Sequence, residues 1–129
     1  MRYAAAAAAL AACLASAPAS ATGGLTCTPA SGTGPTLSLV IGHGIPGGIV
    51  GASLTEGTRQ LSSFRQADGL VIGQSWIDEQ RVWVDLVDGN AMNDAGRLRA
   101  QYAGRGRARR LAGTFTRNGR VYRVRCEES

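Results

Sequence analysis

Ten arginines lie between Arg97 and Arg125, with no Asp, Glu or Lys among them. A guanidinium is planar, keeps its charge at any physiological pH, and offers a fork of donors that fits phosphate, sulfate or carboxylate two bonds at a time. All fourteen Lys-or-Arg positions of the chain are Arg, which suits that kind of recognition. The candidate anion-binding residues are Arg97, Arg99, Arg105, Arg107, Arg109, Arg110, Arg117 and Arg120. Arg97 and Arg99 share one strand face, Arg123 and Arg125 share another, and Gly104 to Arg110 makes a basic loop between them. Arg117 opposite Arg120 sets like charges across a hairpin end, an arrangement that wants an anion or a carboxylate between them.

The charge is polarised along the chain. Residues 22–96 hold three arginines against seven acids, and the whole chain nets +5. A surface of one sign draws ligands of the other, so the expected partners are an anionic polysaccharide, a lipid phosphate or an acidic protein. Nucleic acid is disfavoured, because single strands need stacking aromatics among the basic residues and only Tyr102, Phe115 and Tyr122 lie in this stretch. The competing reading of the same arginines is a wet sheet face, solvated or paired with acids of the first half such as Asp85 and Asp88.

Other chemistry-bearing residues lead less far. Gly42-His43-Gly44-Ile45-Pro46-Gly47 matches G-x-G-x-x-G by letter, but Pro46, Gly47, Gly48 and Gly51 forbid the helix N-terminus that must receive a pyrophosphate. His43 is the only histidine. It supports an alternative in which the chain is a small secreted hydrolase or transferase, yet no G-x-S-x-G elbow or H-E-x-x-H accompanies it. Asp85, Asp88, Asn90, Asn93 and Asp94 are oxygen donors of the kind calcium takes, but they lack the EF-hand order and its closing glutamate, and turn chemistry explains them as well. No catalytic residue, metal or cofactor is therefore expected, and the function expected is a non-catalytic periplasmic β-domain that binds an anionic envelope component or partner protein.

The elements that must position these residues begin after a processing signal. Met1-Arg2-Tyr3, the alanine-rich stretch that follows and Ala19-Ser20-Ala21 read as a signal peptide over residues 1–21, with export to the periplasm. Leu10-Ala11-Ala12-Cys13 also fits a lipobox, which would anchor an outer-membrane lipoprotein at Cys13. Nothing after residue 21 approaches the roughly 20 apolar residues of a membrane-spanning helix. Residues 22–35, rich in Thr, Gly, Pro and Ser, read as a flexible leader, and 36–129 as a single β-domain. Cys27 and Cys126 stand near its two ends, without a second ligand at metal spacing, and are expected to form one disulfide in an oxidising compartment.

About eight short strands are predicted, at 36–41, 49–55, 58–64, 70–77, 81–87, 97–102, 110–117 and 120–126, and no window carries a sustained helical period. Asn118-Gly119 is the preferred type I′ dipeptide, so Arg117 faces Arg120, Phe115 faces Tyr122 and Leu111 faces Cys126. Leu111, Phe115, Tyr122 and Val124 then point inward. The fold class is all-β, antiparallel, either a small barrel or a two-layer sandwich with its termini tied by the disulfide. Trp76 and Trp83, flanked by Val82, Val84 and Leu86, are expected in the core, the other place for them being a ligand mouth.

The ending Gly113-Thr114-Phe115 through Gly119-Arg120-Val121-Tyr122-Arg123-Val124-Arg125-Cys126-Glu127, with Trp83-Val84-Asp85-Leu86 upstream, resembles small uncharacterised exported β-domain proteins of Gram-negative bacteria. In outline the Cys-bracketed chain is also similar to periplasmic lysozyme-inhibitor barrels. That second resemblance implies a loop that plugs an active-site cleft, and no residue here matches such a loop.

Overall fold

The computed structural model describes residues 23–42, 48–89 and 93–129. Among these described residues nine strands follow one another: β1 Gly23–Pro29, β2 Thr36–Ile41, β3 Ile49–Glu56, β4 Arg59–Ser62, β5 Leu70–Ile77, β6 Arg81–Asp88, β7 Asp94–Ala103, β8 Arg110–Arg117 and β9 Arg120–Glu128. Among the described residues helix is confined to two single 3-10 turns, Gln66–Asp68 and Gly106–Ala108. The strands make one sheet in the order β4-β3-β2-β1-β9-β8-β7-β6-β5. Every ladder in it is antiparallel, so β4 and β5 run in the same direction and do not pair; β5 lies against β3 instead, and the sheet nearly closes into a barrel. Closure of this kind leaves few free strand edges. It also decides between the two architectures that the sequence left open.

Alternation explains the core. Val82, Val84 and Leu86 of β6, Leu98 and Ala100 of β7, and Leu111 and Phe115 of β8 are buried, while the residues that alternate with this inner row face outward. Among the described residues no polar or charged side chain is fully buried. The β8–β9 hairpin has the expected register, from Arg117 opposite Arg120 to Leu111 opposite Cys126, and Asn118 and Gly119 both have positive φ. The disulfide is formed: Cys27 and Cys126 are direct register partners across β1 and β9, with Cα atoms 4.0 Å apart.

Two expectations are corrected. Gly23–Pro29 is not leader but β1, bonded to β2 on one side and β9 on the other. Leu25 and Cys27 alternate inward there, a signal that the Gly, Thr and Pro around them conceal. Nor are the tryptophans core: Trp76 is 57% exposed and Trp83 41%. Trp83 alternates with Val82 and Val84, which take the inner face and leave the indole outside.

Candidate functional site

The barrel divides the arginines among three places. On the outer face of β7, Arg97 and Arg99 stand beside β8, whose outward residues Ala112, Thr114 and Thr116 are small. Beyond β8, Arg123 and Arg125 occupy the outer face of β9, with Thr114 opposite Arg123 and Ala112 opposite Arg125. Cross-strand rows therefore run Arg99–Thr114–Arg123 and Gln101–Ala112–Arg125. Strand spacing places the two arginine columns about 10 Å apart across a floor of small side chains.

The same face continues onto β6 and β5. Arg99 is opposite Trp83, and Trp83 is opposite Trp76. A cleft of about 580 Å³ opens here, walled by Gln74, Trp76, Arg81, Trp83, Asp85 and Arg99. The Arg81 and Arg99 guanidinium carbons lie 5.0 and 5.3 Å from the Trp83 ring centre, within reach of cation–π attraction. Trp76 Nε1 donates to Asp78 Oδ2 at 2.8 Å, which fixes the indole at the cleft edge. Asp78 is held below its ordinary carboxylate value chiefly by that bond, then by the backbone N–H groups of Gln80 and Arg81. Asp85 Oδ1 is buried between two cations, 2.8 Å from Arg99 Nη2 and 3.4 Å from Arg97 Nε. Neither N–H is aimed well enough to make a hydrogen bond, so charge alone holds this oxygen.

At one end of the barrel the basic loop is partly used internally. Arg109 stacks over Tyr102 at 4.1 Å and donates to the Glu79 carbonyl. Tyr102 donates its hydroxyl to Glu128 Oε1 at 2.8 Å, and burial first, then Glu128, raises its pKa. Arg110 bonds the carbonyls of Arg107 and Arg109. Arg105 and Arg107 are exposed and make no ion pair with any described residue.

At the other end, Arg117 is removed from the list of anion-binding residues. Its side chain is only 10% exposed, and it donates from Nε and Nη2 to Glu56 Oε1 at 2.9 and 2.7 Å and from Nη1 to the Ala95 carbonyl at 2.5 Å. The inward parity of Leu111, Gly113 and Phe115 carries Arg117 inward too, where Glu56 neutralises it. Arg120, its hairpin partner, stays exposed.

No family model matches the chain, and no curated protein or solved structure matches it either.

The signal segment, Cys13, His43 and Asn90 lie outside the described residues. Asp88 and Asn93 bond to each other across the β6–β7 connection, through Asn93 Nδ2 to Asp88 Oδ2 at 2.9 Å and Asp88 N to the Asn93 carbonyl at 3.0 Å. Asp85 and Asp94 instead face Arg97. The arrangement as a whole can hold an anion, orient an aromatic surface and donate hydrogen bonds. The sequence put Arg97 and Arg99 among the candidates, paired Arg123 and Arg125 on a strand face without making them candidates, gave the tryptophans a ligand mouth only as second choice, and did not point to Arg81. The missed signal is alternation within Arg81-Val82-Trp83-Val84-Asp85-Leu86, where the charged residues share a face with Trp83.

Proposed function

We propose that this chain is a non-catalytic exported domain that binds an anionic envelope component or an acidic partner through the outer face of β6 to β9. The observation that carries the reading is the state of Arg123 and Arg125. Both are exposed, neither makes an ion pair with a described residue, and Arg123 stands in the same cross-strand row as Arg99, with Arg125 in the next outward row opposite Ala112 and Gln101. Of the acids near that face, Asp85 is engaged by Arg97 and Arg99 and Asp78 by Trp76 and backbone N–H groups, while Glu127, next along the outer face of β9 after Arg125, is exposed and offsets part of the charge there. Guanidiniums without an ion-pair partner on a rigid sheet attract anions and meet them with two-bond geometry. A disulfide between β1 and β9 supports a working place outside the reducing cytoplasm, in keeping with the processing signal read in residues 1–21.

The test is heparin binding at increasing salt, comparing the wild type with Arg123→Ala/Arg125→Ala and Arg105→Ala/Arg107→Ala proteins. The expected result is affinity that falls with salt, as screening requires, and a loss of about fivefold or more in the β9 variant that exceeds the loss in the loop variant. Salt-independent binding, or binding that neither double replacement weakens, rejects the reading.

A further inference from the structure

The cleft on β5 and β6 has features that charge attraction does not need. Trp76 and Trp83 are the only tryptophans of the chain, and both are on the surface, side by side as cross-strand partners. Trp83 carries the Arg81 and Arg99 guanidiniums over its ring, whereas Trp76, 57% exposed, leaves a large aromatic surface in water and forgoes its burial. Trp76 is also oriented. Its N–H is tied to Asp78, whose other oxygen accepts from the backbone N–H groups of Gln80 and Arg81 at 2.7 and 2.8 Å, so the β5–β6 turn fixes the ring before any ligand arrives.

We propose that this cleft takes a sugar ring of an acidic oligosaccharide, with Trp76 as the stacking platform and with Arg81 and Arg99, which already stand 3.9 and 2.8 Å from Asp78 and Asp85, receiving its carboxylates through their remaining N–H groups. The proposal rests on the anion-binding reading and narrows its ligand. A pyranose ring has a C–H face whose positive edge charge complements the negative face of an indole. Its hydroxyls need both donors and acceptors, which Gln74 and Asp85 supply in the cleft wall. The cleft, about 580 Å³, has the size of a small-ligand site. A membrane surface fits less well, because Asp85 would be pressed against apolar chains and anionic headgroups. A bare polyanion fits less well too, since it gives the indoles nothing to stack.

Calorimetric titration with trigalacturonate, inorganic polyphosphate and phosphatidylglycerol vesicles separates these ligands, using wild type, Trp76→Ala and Trp76→Phe. Urea midpoints confirm that each variant folds, as the exposure of Trp76 leads one to expect. Trigalacturonate binding should weaken by about tenfold in Trp76→Ala and recover in Trp76→Phe, while polyphosphate binding changes by less than about twofold. Trigalacturonate affinity unchanged in Trp76→Ala overturns the sugar site, as does an equal loss for both polyanions or vesicle binding in preference to the sugar. In those cases salt-dependent polyanion binding still upholds the broader reading. Binding of none of the three probes at low salt overturns both.

Discussion

At the mouth of the barrel, the Glu56 carboxylate accepts two N–H bonds from a guanidinium that is nearly buried. The Arg117 hydrogen bond is the largest influence on Glu56, and with the charges of Arg117 and Arg59 it outweighs desolvation, so the folded pKa lies below the ordinary 4.5. A depressed carboxylate contributes stability that is complete above its unfolded pKa and is lost as pH falls through the folded one. Urea unfolding followed downward from pH 7 should therefore show the wild type losing stability below about pH 4.5, with that part of the loss missing in Glu56→Gln. At pH 7 Arg117→Ala is expected to cost about 2 kcal/mol, an amount discounted for the partial exposure of Glu56. A pH profile that is the same in Glu56→Gln and wild type would show that the ion pair contributes nothing. Sequence could name Arg117 as a charge in need of a partner. It could not find Glu56, which lies sixty-one residues away and meets Arg117 only when the barrel closes.

Strands were the most legible elements because their signals are local. The bounds of β2, β5 and β8 coincide with the predicted ones, and the Asn118-Gly119 turn set the β8–β9 register residue by residue. β1 escaped because its apolar alternation is two residues long, Leu25 and Cys27, inside a turn-like composition. The β5 parity was hidden by the register shift between Ile72 and Ser75, an irregularity of backbone pairing that composition does not report. Backbone contact between strands makes its own prediction. A Cβ at Gly113 would strike the Arg99 carbonyl and lie 2.6 Å from Ala100 Cα, so β7 and β8 must move apart to admit Ala. Gly113→Ala should lower stability by about 2–4 kcal/mol, whereas Gly23→Ala, which meets nothing within 4 Å, should stay within about 0.5 kcal/mol. Equal urea midpoints for the two variants would contradict the close packing of these strands.

For the whole molecule, alternation alone fits a barrel and a sandwich equally, so the architecture rested on pairings between distant segments: β1 with β9, and β5 beside β3. The disulfide joins two of those segments, across a sequence separation of 99. Such a link removes freedom mainly from the unfolded chain, by a few kcal/mol. The candidate surface has the same origin. Residues 76 and 83 come from one hairpin, 97 and 99 from the next strand, and 123 and 125 from the last; only the combined register of β5 to β9 brings them to one face. The charge run was visible in the sequence, whereas its division into an outer face, a partly engaged loop and a neutralised mouth was not. The most direct measurement is an amide and indole NMR titration of residues 22–129 with trigalacturonate at low salt. Shifts should be confined to the Trp76 and Trp83 indoles and to the strands bearing Arg81, Arg99, Arg123 and Arg125, and should be reversed by salt. Shifts centred on the Arg105 to Arg110 loop or on the Arg117 mouth, or none at all, would contradict that placement.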